Sequence, residues 1–90
     1  MKTGIQLIAE ERQEQIEKHG FDVQHDRRYN HNQLPNAAVY LLTDDDSYYP
    51  PFWSDEWKDK FDKKTYLQKL IVAGALIAAE IDRQSNETPQ

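Results

Sequence analysis

Arg12 stands at a position where a purely structural helix would carry an apolar side chain. It falls inside a stripe of apolar residues that repeats with helical spacing near the start of the chain. Its planar guanidinium could hold a phosphate through two parallel hydrogen bonds, or it could pair with a buried acid. Glu11 and Gln15, four residues apart beside this stripe, could bind a ligand or form an ordinary solvated helix edge.

Glu80 is the second charged residue in an apolar setting, since residues 70–79 before it are all apolar or small. A carboxylate in such surroundings costs free energy unless it is paired. One interpretation is an ion pair with Arg12 or Arg83 that fixes the helix register. The other is a carboxylate that coordinates Mg²⁺ or accepts hydrogen bonds from the base or ribose of a ligand.

A polar segment at residues 21–31 carries the pair His25-Asp26, followed directly by Arg27 and Arg28. His-Asp pairs bind metals in some phosphohydrolases, but this chain has no two histidines spaced four residues apart to complete such a site. The more plausible functional interpretation is a loop in which His25 and one of the arginines contact a phosphate. The structural alternative is a loop that Asp26 caps.

Residues 44–62 are predicted to form a long connection that is rich in aromatic residues. The aromatic side chains surround Pro50-Pro51, and they are Tyr48, Tyr49, Phe52, Trp53, Trp57 and Phe61. A connection of this length is often functional or disordered, and this composition is too aromatic for ordinary disorder. Trp53, Trp57 or Tyr48 could therefore stack on a base, or the two tryptophans could simply cover a core or an interface.

Helical periodicity predicts three helices that position these side chains, at residues 3–19, 33–43 and 63–84. Thr3 and Gln6 have the spacing of a capping box at the first helix, and Pro35 is tolerated only in the first turn of the second. Asp62 is a candidate N-cap for the third helix. We expect one all-α domain over residues 1–84, followed by a frayed tail at residues 85–90.

Composition narrows the possible partners of this 90-residue chain. Its formal net charge is −5, with 16 acidic and 11 basic residues, which disfavours binding to duplex nucleic acid. The apolar run in the third helix is too short to cross a membrane, which needs about 20 apolar residues. Without cysteines or an apolar leader, the chain is expected in the cytoplasm.

Self-association is expected on two grounds. A domain this small buries a modest core and gains stability from oligomerisation. The third helix is apolar over most of its circumference and carries small residues through which a helix of a second subunit could approach closely, namely Gly74, Ala75, Ala78 and Ala79. We therefore expect a helical homo-oligomer.

The chain resembles a group of small phage and prophage proteins over roughly residues 8–83. The resemblance is carried by "ERQEQI" at residues 11–16, by His25-Asp26, by Trp53 after a proline pair and above all by "AGALIAAEIDR" at residues 73–83. The pattern is also loosely similar to the MazG-like all-α nucleoside triphosphate pyrophosphohydrolases. That similarity implies a helical oligomer that binds nucleotides, with Mg²⁺ held by helix carboxylates.

The second half of the carboxylate pattern in that enzyme group is missing from this chain. Glu10, Glu11 and Glu14 match the first half, but the second predicted helix opens with Gln33 and contains no acid. Several carboxylates are needed to hold Mg²⁺ on phosphates, so this departure favours nucleotide binding over cleavage. If a metal binds, the candidate ligands are Glu11, Glu14, Asp26 and Glu80.

Three functions follow as expectations. The first is a cofactor-free phage-type protein that sequesters a nucleotide-derived immune signal of the host, such as an ADP-ribose derivative or a cyclic oligonucleotide. Its ligand-binding candidates are Glu11, Arg12, Gln15, His25, Asp26, Arg27, Arg28, Trp53, Trp57 and Glu80. The second is a Mg²⁺-dependent pyrophosphohydrolase. The third is a protein-binding scaffold that uses the aromatic segment as its contact surface.

Overall fold

The computed structural model describes residues 1–19, 33–51 and 53–87. These residues form four α-helices and a 3₁₀ turn at Asp46–Tyr48, and they contain no β-strand. The helices are α1 (Gly4–His19), α2 (Gln33–Thr43), α3 (Asp55–Asp62) and α4 (Tyr66–Glu87). The predicted all-α class is confirmed, whereas three helices were expected.

The ends of α1 and α2 follow from local sequence. The Thr3 hydroxyl accepts the Gln6 amide N–H at 3.2 Å, and the Gln6 side chain accepts the Thr3 N–H at 2.7 Å, which is the predicted capping box. At the end of α2, Asp44 has a φ of 57°, and its N–H donates to the Tyr40 carbonyl at 2.7 Å. Aspartate tolerates this left-handed conformation, so Asp44 closes the helix.

The additional helix is α3, which lies inside the segment predicted as a connection. The Ser54 hydroxyl accepts the backbone N–H of Trp57 at 3.2 Å and so caps the first turn. Asp55 and Glu56 occupy that turn and Lys60 the last one, so their charges complement the helix dipole. Trp57 and Phe61 therefore belong to a helix and not to a loop, whereas Tyr49 and Trp53 precede it.

The start of α4 differs from the prediction because α3 occupies residues up to Asp62. Asp62, the expected N-cap, is the last residue of α3. A second capping box begins α4, in which the Thr65 hydroxyl accepts the Gln68 N–H at 3.2 Å and the Gln68 side chain accepts the Thr65 N–H at 2.9 Å. The helix then continues to Glu87, beyond the predicted end at residue 84.

The core lies mainly between α2 and α4. Its buried apolar side chains come from both helices, with Trp53 closing one side, and they are Leu34, Ala37, Ala38, Leu41, Trp53, Val72, Ala73, Leu76 and Ala79. Each helix contributes residues at helical spacing, so burial of these two stripes supplies the main driving force for folding.

Helix α1 packs along α4 at a point of close approach. A Cβ atom added to Gly74 would lie only 2.6 Å from Cδ1 of Ile8, so a larger residue here would require the Ile8 side chain to shift. Farther along, the Arg12 guanidinium binds the Asp82 carboxylate at 3.2 Å.

One face of α4 stays exposed in the monomer. The apolar side chains on it are Tyr66, Leu67, Leu70, Ile77 and Ile81. None of the helices formed by the described residues is long and apolar enough to cross a membrane.

Candidate functional site

A pocket opens where α1, α3 and α4 meet, with a cavity volume of about 90 Å³. Its walls are Glu11, Gln15, Trp57, Lys60, Phe61, Lys64, Val72 and Leu76. Pockets that enclose a whole drug-sized molecule measure about 300–1,000 Å³. This cavity therefore accommodates the edge of a ring, while the remainder of a ligand would lie outside it.

The α1 wall of the pocket carries a buried amide. The Gln15 side chain is only 3% exposed, and its Nε2 donates to Oε2 of Glu11 at 3.4 Å. Because the ionised carboxylate only accepts hydrogen bonds, the amide nitrogen must be the atom that faces it. This leaves Gln15 Oε1 buried without a hydrogen-bond partner among the described residues.

That unpartnered oxygen is an unusual feature of the interior. A buried polar atom without a hydrogen bond costs about 1–3 kcal/mol, and native proteins contain few of them. Gln15 is a lining residue of the cavity, but its Oε1 atom has almost no accessible surface. A bound molecule that offers an N–H or O–H would satisfy this oxygen only after the amide turns toward the cavity.

The wall formed by α3 and the turn that follows it combines aromatic and cationic side chains. Trp57 and Phe61 lie one helical turn apart, so both rings reach the pocket. Lys60 and Lys64 have the same spacing, and the first is exposed while the second is partly buried. Because both lysines line the pocket, they supply it with positive charge.

The lining of this small pocket contains both polar side chains that can accept hydrogen bonds and positively charged side chains. Helix α1 contributes the polar side chains of Glu11 and Gln15, and Lys60 and Lys64 contribute positive charge. Trp57 adds an aromatic ring to the same lining. Such a pocket can bind a molecule with a flat ring, donor groups on the ring edge and a negative charge at its other end.

Trp53 and Trp57 have different surroundings. Trp53 is 8% exposed and belongs to the core, whereas Trp57 is partly exposed and lines the pocket. The two indoles meet edge to face, with ring centroids 5.3 Å apart. Trp53 therefore supports Trp57 from behind, and Trp57 is the tryptophan that a ligand can reach.

Arg12 is a buried connector between two helices. It is 7% exposed, and its Nε and Nη2 atoms donate to Oδ2 of Asp82 at 3.3 and 3.2 Å. It does not belong to the pocket wall. Of the two roles open to Arg12, the structure shows the pairing with an acid.

Glu80 forms an ion pair within α4. Arg83, one turn later, donates to both carboxylate oxygens from its Nε at 3.0 and 3.1 Å, and Gln84 adds a hydrogen bond of 3.1 Å. Burial alone would raise the pKa of Glu80, but the hydrogen bonds from Arg83 and Gln84 outweigh it and hold the pKa below its ordinary value. Glu80 does not line the pocket.

The remaining predicted site residues fall into two groups. His25, Asp26, Arg27 and Arg28 lie outside the described residues. Of the candidate metal ligands, Glu11 lines the pocket and Glu80 is paired with Arg83. Across residues 1–19, 33–51 and 53–87, no group of three or more metal-binding side chains is placed to hold an ion.

Five pocket residues were not predicted as site residues, and Lys60 and Lys64 are the charged ones among them. Lys60 falls in the segment that was interpreted as a connection and Lys64 in the first turn of the third predicted helix, so their spacing of four residues was not recognised. The signal was present in the sequence, since Ser54 followed by Asp55 and Glu56 is typical of a helix start.

Comparison with known proteins adds no constraint on this site. No protein-family model matches the sequence, and no curated protein or solved structure is significantly similar to it.

Proposed function

We propose that this protein binds a nucleotide-derived small molecule in the pocket between α1, α3 and α4. The observation that carries the proposal is the lining of that pocket, which combines the partly exposed ring of Trp57, two lysines and the polar side chains of Glu11 and Gln15. Nucleotides combine the three matching features, which are a flat base, donor groups on the base edge and phosphate.

Each wall of the pocket has a role in this proposal. Trp57 provides an aromatic surface for the base, an interaction worth about 1–3 kcal/mol in other nucleotide-binding proteins. Lys60 and Lys64 neutralise the phosphate outside the cavity. Glu11 and Gln15 accept hydrogen bonds from the base, and the Glu11 carboxylate has lone pairs for more than one donor.

The biological role that fits this chemistry is sequestration. A small phage-type protein in the host cytoplasm would hold a nucleotide-derived immune signal and keep it from its receptor. The ligand is then expected to leave the protein chemically unchanged. The proposal needs no bound metal, and cleavage by a Mg²⁺-dependent pyrophosphohydrolase is the competing outcome of the test below.

Assembly into a homo-oligomer is part of the same proposal. Leu67, Ile77 and Ile81 are between 46% and 61% exposed along one face of α4. An exposed apolar surface of this kind is typical of a protein contact. We assign that face to a second copy of the chain, which would add buried area to a domain with a small core.

The test is a thermal-shift screen of the purified protein against mononucleotides, cyclic dinucleotides and ADP-ribose derivatives, with and without Mg²⁺. A ligand at 100 times its Kd stabilises the native state by about 2.7 kcal/mol. For a domain of this size that raises Tm by about 10 °C or more. A complete absence of shifts contradicts the proposal.

Mass spectrometry of the ligand released from the denatured complex separates binding from catalysis. Recovery of the intact nucleotide, after incubation with Mg²⁺, is the result expected for sequestration. Recovery of a nucleoside monophosphate together with pyrophosphate would overturn sequestration and establish the enzymatic alternative.

A further inference from the structure

The exposed face of α4 consists of large apolar side chains in a regular line. Leu67, Leu70, Ile77 and Ile81 are between 38% and 61% exposed, and with Gly74 between them they follow one another at steps of three, four, three and four residues. This is the a/d spacing of a coiled-coil seam, in which the apolar line of one helix packs against that of another helix. The opposite face of α4 lies in the core, so the helix has a second apolar face that is suited to a helical partner.

The line is arranged almost symmetrically about Gly74. Leu67 lies seven residues before this midpoint and Ile81 seven residues after it, and the two inner residues lie four before and three after. A two-fold contact requires a self-complementary surface of this kind, because both copies use the same patch. Gly74 itself packs against Ile8 of its own chain, so the large side chains provide the contact for a second copy and the glycine does not.

The charges along this part of the chain indicate the direction of the second copy. Residues 63–79 carry three lysines and no acid, whereas residues 80–87 carry three acids and one arginine. An antiparallel pair places the basic end of each helix beside the acidic end of the other and also opposes the two helix dipoles favourably. A parallel pair would place like charges side by side. At these ends, Lys63 is exposed, and the Asp82 side chain keeps 47% of its surface exposed although it binds Arg12.

We infer that two copies of the chain associate through α4 as an antiparallel two-fold pair centred near Gly74. The inference rests on the proposed self-association and specifies its geometry. Leu67 of one copy lies beside Ile81 of the other copy in this arrangement. The two Leu67 residues of the pair are far apart, because they lie seven residues on either side of the midpoint, which amounts to about 21 Å of helix. The same distance separates the two Ile81 residues.

Disulfide cross-linking tests this geometry, and the chain suits it because it contains no cysteine. Leu67→Cys and Ile81→Cys are prepared separately, refolded together and oxidised, and the products are separated by non-reducing electrophoresis. A disulfide forms only between residues whose Cα atoms lie within about 7 Å of each other. The expected result is a cross-linked dimer from the mixture and little or none from either variant alone.

Leu42→Cys on α2 is the matched control for random collisions, because Leu42 is also exposed, at 42%. Mixed with Leu67→Cys, it should form no more cross-linked dimer than either variant alone. Efficient cross-linking of Leu67→Cys with itself would show a parallel pair and overturn the inference. A mixture of Leu67→Cys and Ile81→Cys that cross-links no better than the control would overturn it as well.

Light scattering of the wild-type protein separates the two levels of the proposal and needs no variant. A monomeric wild type refutes self-association itself, whereas an oligomer without the mixed cross-link refutes only the antiparallel pairing of α4. Neither result bears on nucleotide binding, which the thermal-shift screen measures independently. If circular dichroism shows that one of the cysteine variants does not fold, Leu70→Cys mixed with Ile77→Cys replaces the pair, with the same outcomes.

Discussion

Arg12 and Glu80 are both neutralised within the fold, but by different partners. Arg12 reaches across to Asp82 on α4, and Glu80 pairs with Arg83 in its own helix. The sequence indicated that each needed a partner, because a buried charge without one is costly. It could not name Asp82, since that pairing depends on the register between α1 and α4, which no local pattern reports.

Glu80→Gln should destabilise the protein and leave nucleotide binding unchanged. Arg83 is buried with a side-chain exposure of 6%, so weakening its ion pair should cost about 1.5–3 kcal/mol. Glu80 is not part of the pocket wall, so the affinity for the nucleotide should not change. Urea unfolding monitored by circular dichroism gives the first quantity and calorimetry the second. Normal stability combined with lost binding would place Glu80 in the site instead.

The cost of Glu80→Gln should also depend on pH. The pKa of Glu80 is lower in the folded protein than its ordinary value of 4.5, so folding favours the deprotonated carboxylate. The stabilisation is therefore present above pH 4.5 and is lost as the pH falls through the folded-state pKa. The free energies of unfolding of wild type and variant should converge at acidic pH. A difference that persists unchanged down to the acid unfolding of the protein would contradict this account.

The helices differ in how far local sequence determined them. The α2 span at residues 33–43 was predicted to the residue, because Pro35 fixes its first turn and the acids from Asp44 onward oppose its continuation. Helix α3 was missed because its aromatic residues suggested a loop, although Ser54 marks its N-cap. That error also moved the predicted start of α4 and hid the spacing of Lys60 and Lys64.

The contact between Gly74 and Ile8 determines how closely α1 and α4 pack. Gly74→Ala gains about 1 kcal/mol of helix propensity, but its Cβ would lie 2.6 Å from Ile8 Cδ1. The resulting overpacking costs about 1–3 kcal/mol. Ile8→Val removes the Cδ1 atom, so Gly74→Ala should be clearly more favourable in the Ile8→Val background than in wild type.

A double-mutant cycle on urea unfolding measures this coupling. The four proteins are wild type, Gly74→Ala, Ile8→Val and the double variant, and the expected interaction energy is at least about 0.5 kcal/mol, the size typical of residues in contact. Additive effects of the two substitutions would show that Gly74 is not needed for the close approach of the helices.

The molecule as a whole leaves one face of α4 uncovered, and we expect a second copy to bind there. Ile77→Lys places a charge on that face and should shift the protein toward monomer in size-exclusion chromatography with light scattering. Leu42→Lys is the matched control on α2, because Leu42 is 42% exposed and Ile77 46%. A monomeric wild type, or equal effects of both variants, would refute this interface.

Ligand binding at the pocket between α1, α3 and α4 is the central claim, and nuclear magnetic resonance tests it most directly. The measurement is a titration of ¹⁵N-labelled protein with the nucleotide that stabilises it most in the thermal-shift screen. We predict large shifts of the Gln15 side-chain amide and the Trp57 indole N–H, with the exposed Gln13 side chain as an unaffected reference. Resonances of Gln15 and Trp57 that remain unchanged at saturation would contradict the account.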